Sequence, residues 1–255
     1  MGRVIAVYNQ KGGVGKTTTV VNLAAALGLL KQQVLVIDMD PQANSTSGLG
    51  LEKNEDFPDV YAVLSGEEST GNVIRETSAK NVRILPSSSA LAGLEVEAVE
   101  RTDRAEMLRA QTEVLRNSYD YLLIDCPPSL GLLSLNALCA ADSVIIPIQT
   151  EYYALEGVGQ LSETIDLVRE GLHPDLALEG ALLTMYDGRN NLSKEVENEV
   201  RKYFGENVFH TVIPRNIRLA EAPSYGESVL TYDRLSKGAR MYMKLGRELL
   251  KKNRG

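Results

Sequence analysis

The stretch YNQKGGVGKTTT, Tyr8–Thr19, decides the fold of this 255-residue chain. It follows a short, apolar, β-branched run. It precedes a segment rich in Ala and Leu whose apolar residues recur at helical spacing. Glycines between a buried strand and a helix let successive backbone N–H groups turn inward, and the helix N-terminus adds the positive end of its dipole. Such a turn suits phosphate, so we interpret the stretch as a phosphate-binding loop.

The loop follows the general pattern GxxxxGK[ST] except at its first position. Gln10 stands where the first glycine is usual, and Lys16 and Thr17 close the pattern. In such loops the lysine neutralises the β and γ phosphates of a nucleotide, and the hydroxyl can bind Mg²⁺. A glycine-rich turn without a ligand is the alternative, but it leaves the agreement of strand, glycines, lysine, threonine and helix unexplained. The predicted nucleotide-binding residues of the loop are Gly12, Gly13, Val14, Gly15, Lys16, Thr17 and Thr18.

Buried strands alternate with helical segments along the rest of the chain. Apolar runs predict strands at 3–10, 33–40, 81–87, 119–129, 143–149, 177–187 and 208–214. Helices are predicted at 17–31, 104–117, 154–172, 191–205 and 236–252. This alternation predicts a three-layer, doubly wound α/β fold with a mainly parallel sheet and helices on both faces. We expect a single domain over 1–255, with the polar segment 52–72 as a surface excursion.

Three aspartates follow predicted strands. Asp38 and Asp40 end the run QVLVIDMD, and Asp125 ends the run YLLID. Because the carboxyl ends of parallel strands share one edge of the sheet, these side chains belong beside the phosphate loop. A carboxylate there can hold Mg²⁺ through water, or can orient the water that attacks a phosphate. Helix-capping or turn roles are the alternatives for any one of them.

Charge and composition narrow the function. The whole chain carries a net charge of −7, yet residues 189–255 contain 14 Lys+Arg against 8 Asp+Glu. This asymmetry is more informative than the total charge. The absence of Trp and the presence of only three Phe argue against base-stacking platforms. No apolar run is long enough for a transmembrane helix, so we expect a cytoplasmic protein. Cys126 and Cys139 lack CxxC spacing, and we expect free thiols.

The predicted terminal helix carries its positive charge on one face. Basic residues recur at alternating spacings of three and four and form one stripe: Lys237, Arg240, Lys244, Arg247 and Lys251. The opposite side carries the apolar residues Leu235, Ala239, Tyr242, Leu245 and Leu249. We expect the helix to pack by its apolar face and to present positive charge on the other. On charge alone, that face is equally either a contact surface for the phosphates of DNA or a solvated face that complements the helix C-terminus.

Together these motifs resemble those of the ParA/MinD family of ATPases. KGGVGKTT is similar to the family's deviant Walker A motif, VLVIDMDPQANSTSGLG to its second phosphate-site motif, and YDYLLIDCPPSLGLLSLNAL to its Walker B region. EYYALEG, LLTMYD and TVIPRNIRLAEAPSYG resemble blocks of the chromosomal ParA branch, often called Soj. The resemblance covers essentially the whole chain. It implies a P-loop NTPase fold and a slow, switch-type ATPase that uses ATP and Mg²⁺.

The resemblance also implies partners and a cycle. ATP closes a homodimer, the dimer binds double-stranded DNA without sequence preference, and a ParB-like partner stimulates hydrolysis and release. This cycle drives chromosome or plasmid partition, in a protein that is cytoplasmic and nucleoid-associated, with no membrane partner expected. Nothing resembles the guanine-reading motif NKxD, which favours ATP over GTP.

Lys11 takes its role from the resemblance. It stands at the family's signature lysine, which reaches across a nucleotide-sandwich dimer to the partner's phosphates. A positive group there can stabilise the charge that develops in phosphoryl transfer, as an arginine finger does. A solvated loop lysine is the alternative interpretation.

The other roles follow at matching positions. The catalytic set is Lys11, Lys16 and Asp40, with Asp40 on the attacking water. The metal set is Thr17, Asp38 and Asp125. Lys11, Pro214 and Asn216 join the nucleotide set, and the last two form the adenine-side wall; a plain strand-ending turn is the alternative for them. The DNA-binding set is Arg189, Lys202, Arg218, Lys237, Arg240, Lys244 and Arg247.

Other members of the family offer alternative functions. A MinD-like positioning ATPase would bind membranes through a basic amphipathic helix, and it predicts liposome binding with ATP. The terminal helix here lacks Phe and Trp, and its apolar face is needed for packing. A cluster carrier like the nitrogenase iron protein would need cysteines that meet at the dimer axis. Cys126 lies inside the Walker B region and Cys139 in an Ala/Leu-rich helix, so neither is placed as a ligand.

Overall fold

Apolar strands form the centre of the structure. The computed structural model describes residues 1–53, 57–151 and 154–253. The strands are β1 Arg3–Val7, β2 Val34–Asp38, β3 Arg75–Glu76, β4 Val82–Leu85, β5 Tyr121–Asp125, β6 Ser143–Gln149 and β7 Ala177–Thr184. They form one sheet in the order β3-β4-β2-β5-β1-β6-β7, in which only β3 and β4 pair antiparallel. Every residue of β2 and β5 is buried, as expected for parallel strands covered on both faces.

Helices cover both faces of the sheet. They are α1 Lys16–Leu29, α2 Asn44–Gly48, α3 Val60–Ser65, α4 Thr70–Val73, α5 Leu94–Glu97, α6 Met107–Leu115, α7 Leu132–Ala140, α8 Ala154–Gly171, α9 Asn191–Phe204, α10 Ile217–Glu221, α11 Val229–Tyr232 and α12 Lys237–Lys252. Alternate residues of each strand face opposite layers. Ile5 and Val7 belong to the core beneath α1, α10, α11 and α12, whereas Val4 and Ala6 belong to the core beneath α3 to α9. The predicted three-layer, mainly parallel α/β fold is confirmed.

The predicted strand at 208–214 is wrong. This segment runs beside β7, but it contributes only two isolated bridges, Ala181 with Val208 and Tyr186 with Pro214. The backbone N–H groups in its middle are used elsewhere, because the Glu248 carboxylate of α12 accepts from the N–H groups of His210 at 2.6 Å and Thr211 at 3.0 Å. A side chain from a distant helix therefore interrupts the ladder.

The segment 52–72 contributes more than a surface excursion. Within it, α3 buries Val60, Val63 and Leu64 in the core, while residues 54–56 lie outside the described part of the chain. Asp59 caps this helix, and its Oδ1 accepts from the N–H of Tyr61 at 2.8 Å. The two-residue strand β3, which follows α4, is too short to give a sequence signal.

Helix α12 packs against α1, as its pattern predicts. Ser236 caps the helix, and its Oγ accepts from the N–H of Ala239. The predicted apolar side is buried at Ala239, Tyr242, Leu245 and Leu249. Leu235 is an exception, because it precedes the helix and is 79% exposed. Among the described residues, no helix combines the length and hydropathy needed to cross a bilayer.

Candidate active site

The phosphate loop lies between β1 and α1 at the carboxyl edge of the sheet. Gly13 and Gly15 adopt positive φ angles of 75° and 93°, which side chains disfavour, so the turn requires glycine at both. No side chain caps the start of α1, which leaves its first N–H groups available to an anion. The Thr184 hydroxyl donates to the Val14 carbonyl at 2.8 Å and ties the loop to β7. The loop is therefore built to receive phosphate.

The two lysines of the loop lie in different environments. Lys16 is only 7% exposed, and its Nζ donates to the Lys11 carbonyl at 3.1 Å. Burial lowers the pKa of Lys16, while Asp125, Cys126 and Asp40 oppose that shift. The side chain of Lys11 is exposed, and among the described residues it makes no ion pair. Lys16 thus contacts its own loop, whereas the Lys11 side chain is exposed to solvent.

Asp38 and Asp125 form a buried carboxylate pair on neighbouring strands. They are register partners at the ends of β2 and β5, and neither has solvent exposure. Asp38 Oδ2 accepts from the N–H and from the hydroxyl of Thr46, both at 2.8 Å, and Asp125 Oδ2 accepts from the Ser45 hydroxyl at 2.7 Å. The sequence did not single out these two hydroxyls of α2, although they stand in the quoted stretch that follows Asp40.

Burial disfavours the ionised form of both carboxyl groups. Burial raises the pKa of Asp38 to about 6, although hydrogen bonds from Thr46 and from the Asp40 N–H lower it. Burial and the nearby Asp38 charge raise the pKa of Asp125 to about 8, and the hydroxyls of Ser45 and Thr17 only partly offset this. Asp125 Oδ1 is buried without a hydrogen-bond partner in the described structure.

These observations fit a divalent cation. Asp125 Oδ1 has no hydrogen-bond partner in the described structure, and paired carboxylates are oxygen ligands of the kind that a hard divalent cation takes. Within the described ranges, no cluster of three His, Cys, Asp or Glu side chains forms a metal site by itself. Mg²⁺ usually takes one or two carboxylates and completes its shell with water and substrate phosphate. Thr17, Asp38 and Asp125 are the residues that could hold it.

Asp40 lies just beyond the end of β2, which stops at Asp38 rather than at the predicted residue 40. Its side chain is 7% exposed, and its Oδ1 accepts from the Gln42 N–H at 2.9 Å. Its charge acts on Lys16, Asp38 and Asp125, so it belongs to the same cluster. The structure therefore brings together all three predicted aspartates and Lys16.

A pocket of about 320 Å³ opens beside the loop. Gly15 and Thr18 line it together with Pro214 and Asn216, for which the resemblance implies the adenine side. The Asn216 Oδ1 caps α10 by accepting from the Arg218 N–H at 2.9 Å, which leaves its amide nitrogen to donate. The remaining lining residues, which the sequence did not assign to this pocket, are Thr184, Met185, Ile213, Arg215, Leu219, Ala220 and Tyr242. Mixed apolar walls with a few polar groups suit a flat base.

The predicted DNA-binding residues fall into two groups. The stripe of α12 is exposed at Lys237, Arg240, Lys244 and Arg247. The only acidic residue of α12, Glu248, is turned toward Thr211 instead. The other three basic residues lie near carboxylates: Arg189 beside Asp187, Lys202 beside Glu199 and Arg218 beside Glu221 and Asp233.

Fold and site together define a P-loop nucleotide-binding protein of the α/β class. A family model described as an AAA domain matches residues 2–178. The chromosome partitioning protein ParA of Myxococcus xanthus is 50% identical over 253 residues, which cover 99% of this chain and 89% of ParA. The sporulation initiation inhibitor protein Soj of Bacillus subtilis is 51% identical over 249 residues, which cover 98% of both chains. The chain therefore belongs to the family of ParA and Soj chromosome-partitioning ATPases, which confirms the resemblance.

Solved structures agree with this fold. A cobyrinic acid a,c-diamide synthase from Mycobacterium smegmatis, with bound ADP and magnesium, matches with a TM-score of 0.89 at 38% identity and covers 100% of this chain and 96% of its own. The cell division ATPase MinD from Pyrococcus furiosus matches with a TM-score of 0.81 at 29% identity, with 98% and 99% coverage. The identity to the first of these enzymes is lower than the identity to ParA and Soj, so the partition ATPases guide the functional proposal.

Proposed function

We propose that this ATPase is a nucleotide-controlled switch. With ATP and Mg²⁺ it forms a sandwich dimer that binds double-stranded DNA without sequence preference. A ParB-like partner then stimulates hydrolysis, the dimer opens, and the DNA is released. Repeated cycles of this kind would serve chromosome or plasmid partition on the nucleoid.

The contrast between the two loop lysines carries the proposal. The buried Lys16 already faces its own loop, where it would neutralise the phosphates of its own nucleotide. Lys11 has its backbone N–H fixed by the Asn9 side chain at 2.9 Å, but its side chain is exposed. An exposed lysine at the rim of a phosphate site can reach the phosphates of a facing copy and stabilise charge there.

The remaining residues support ATP hydrolysis. The pocket at Pro214 and Asn216 would hold the adenine, and the loop N–H groups would hold the phosphates. Bound Mg²⁺ would neutralise phosphate charge, held by Thr17 and, through water, by Asp38 and Asp125. Asp40 would orient or deprotonate the attacking water, since it follows β2 beside this cluster.

The basic surface supports binding to DNA. The exposed stripe of α12 can contact successive phosphates without reading bases, and each contact releases counterions from DNA. A dimer presents two such stripes, so dimerisation multiplies a weak affinity. Membrane binding through α12 would require exposing Leu245 and Leu249, both of which are fully buried against the core.

The direct test is sedimentation of the protein with random-sequence DNA and, separately, with vesicles that contain anionic lipid. Each mixture is prepared with ATP, with ADP and without nucleotide, always with Mg²⁺. We expect pelleting with DNA only in ATP, and steep loss of binding as salt rises. Equal DNA binding in all three nucleotide states would contradict the switch, and ATP-dependent vesicle binding without DNA binding would favour a MinD-like function.

A further inference from the structure

Some of the basic residues proposed to contact DNA already form an ion pair with a carboxylate, and others do not. On α12, Lys237, Lys244 and Arg247 are exposed, and this described helix places no carboxylate against them. Arg218 on α10 is different, because its guanidinium group contacts two carboxylates, those of Glu221 and Asp233. A phosphate that approaches Arg218 therefore meets the negative charge of both carboxylates.

The first carboxylate comes from the same helix. Glu221 lies three residues after Arg218, and its Oε2 accepts from Arg218 Nη1 at 2.8 Å. The Tyr232 hydroxyl donates to the same Oε2 at 3.3 Å, and the Tyr232 ring stacks on Tyr225 with centroids 5.0 Å apart. Residues of α10 and α11 thus fix the position of this carboxylate.

The second carboxylate comes from the turn before α12. Asp233 Oδ2 lies 3.3 Å from Arg218 Nε, while Asp233 Oδ1 accepts from the Leu235 N–H at 3.2 Å. That backbone contact fixes Asp233 independently of Arg218. The two carboxylate side chains are each 35% exposed and the arginine is 47% exposed, so water screens the contacts only in part.

We propose that Glu221 and Asp233 form a carboxylate clamp that competes with DNA phosphate for the guanidinium group of Arg218, and so sets the DNA affinity of this protein. The inference rests on the proposed function, since it presupposes that Arg218 lies on the DNA-binding surface. Arg218 together with its two carboxylates carries a net charge of −1. A DNA phosphate must therefore compete with two carboxylates for the positive charge of Arg218, and its repulsion by those carboxylates weakens binding.

The clamp has a consequence for switching. A clamped basic residue contributes less to the DNA affinity of a single chain than a free one does. Two chains in a dimer multiply these weak contributions. Arg218 also lies on the helix whose Leu219 and Ala220 line the base pocket, so the clamp is adjacent to the nucleotide site. The clamp would keep the affinity of a single chain low, and the ATP-dependent increase correspondingly large.

The test measures binding to a fluorescent random-sequence duplex by anisotropy, at one moderate salt concentration, with Mg²⁺ and a non-hydrolysable ATP analogue. Glu221→Gln and Asp233→Asn keep the shape of each side chain but remove its charge. We expect each variant to bind DNA about two- to tenfold more tightly than the unmodified protein, because each substitution frees Arg218 from one ion pair in both chains of the dimer.

A matched control separates the clamp from overall charge. Glu227→Gln removes one negative charge from the same segment, and Glu227 makes no ion pair with Arg218. We expect less than half the effect there. In an Arg218→Ala background, Glu221→Gln should no longer raise the affinity.

An equal effect of Glu221→Gln and Glu227→Gln, or a gain that persists without Arg218, would overturn the clamp while leaving DNA binding intact. Absence of DNA binding by both the unmodified protein and the Glu221→Gln variant would instead contradict the proposed function, and the clamp with it. Equal thermal unfolding midpoints verify that every variant is folded.

Discussion

Two lysines five positions apart in one loop have opposite surroundings. Lys16 is buried and bonded to the Lys11 carbonyl, while the Lys11 side chain is exposed. Loop spacing alone cannot predict this contrast, since both residues flank the same glycines. It arises because α1 begins at Lys16 and directs that side chain back over the loop. Under the proposed function, the exposed amine contacts the phosphates bound by a second copy of the chain.

Asp40 gives the sharpest test among single residues. We expect Asp40→Ala to bind ATP and to form the dimer, yet to lose about 100-fold or more in hydrolysis rate, because a positioned base typically contributes that much. Phosphate release under single-turnover conditions measures this loss. Asp40→Asn serves as a shape-matched control and should be nearly as slow. Turnover within about threefold of the unmodified enzyme would remove Asp40 from catalysis.

The three aspartates lie beside the loop, as their positions after predicted strands indicate, but the groups that orient them could not be predicted from the sequence. The hydroxyls of Ser45 and Thr46, which bind the two buried carboxylates, lie in the short helix α2. Five polar or small residues carry no hydrophobic period, so nothing in the pattern points to their partners. The carboxylates that accept from these hydroxyls lie side by side because β2 and β5 pair in the sheet, which is a tertiary contact.

At the scale of elements, α12 joins the core to the basic surface. Gly246 lies so close to α1 that an added Cβ would sit 3.2 Å from the Ala26 Cβ and 3.3 Å from Leu30 Cδ1. That close approach is what brings the apolar face of α12 against α1. Its other face is left to solvent, where the stripe lies.

Gly246→Val tests this packing. We expect a loss of about 1–3 kcal/mol in the free energy of unfolding, because the branched side chain forces α12 away from α1. Urea unfolding followed by circular dichroism measures the change. Arg247→Val is the matched control on the exposed side, and its effect should stay within about 0.5 kcal/mol. Equal destabilisation by the two variants would contradict the observed packing of α12.

The stripe is tested separately by charge removal. We expect Lys244→Ala combined with Arg247→Ala to weaken DNA binding. The slope of log affinity against log salt should also become shallower, by about 0.9 for each phosphate that the variant no longer neutralises. A salt series of anisotropy titrations gives the slope. Arg104→Ala combined with Arg109→Ala removes the same charge from the opposite layer and should leave the slope unchanged. An unchanged slope in the α12 variant would exclude the stripe from DNA binding.

The segment 208–214 shows why one predicted strand did not form. Its apolar, β-branched run is typical of a strand, and its ends do reach β7. Its middle N–H groups bond to Glu248, which lies 37 residues beyond Thr211 in the chain. Local strand propensity cannot predict that a distant carboxylate will accept these N–H groups. Here the tertiary hydrogen bonds replace the ladder that the propensity favours. By contrast, α12 was predictable because its period extends over four turns.

At the scale of the whole molecule, the carboxyl edge of the sheet gathers the loop, the aspartates and the base pocket. The strand order places β1 between β5 and β6, which brings Asp125 to one side of the loop. Under the proposed function, a single chain supplies the predicted nucleotide-binding residues of this edge, whereas the exposed Lys11 would act on a second chain. Whether dimerisation needs that lysine is the decisive question.

Sedimentation velocity of Lys11→Ala tests this claim most directly. The unmodified protein and the variant are compared with Mg²⁺ and a non-hydrolysable ATP analogue, after nucleotide binding has been measured by titration. Lys16→Ala serves as the control that should lose nucleotide binding itself. We expect the unmodified protein to sediment as a dimer, and Lys11→Ala to bind the analogue within about threefold of normal affinity yet to remain monomeric. A Lys11→Ala variant that dimerises as readily as the unmodified protein would contradict the account.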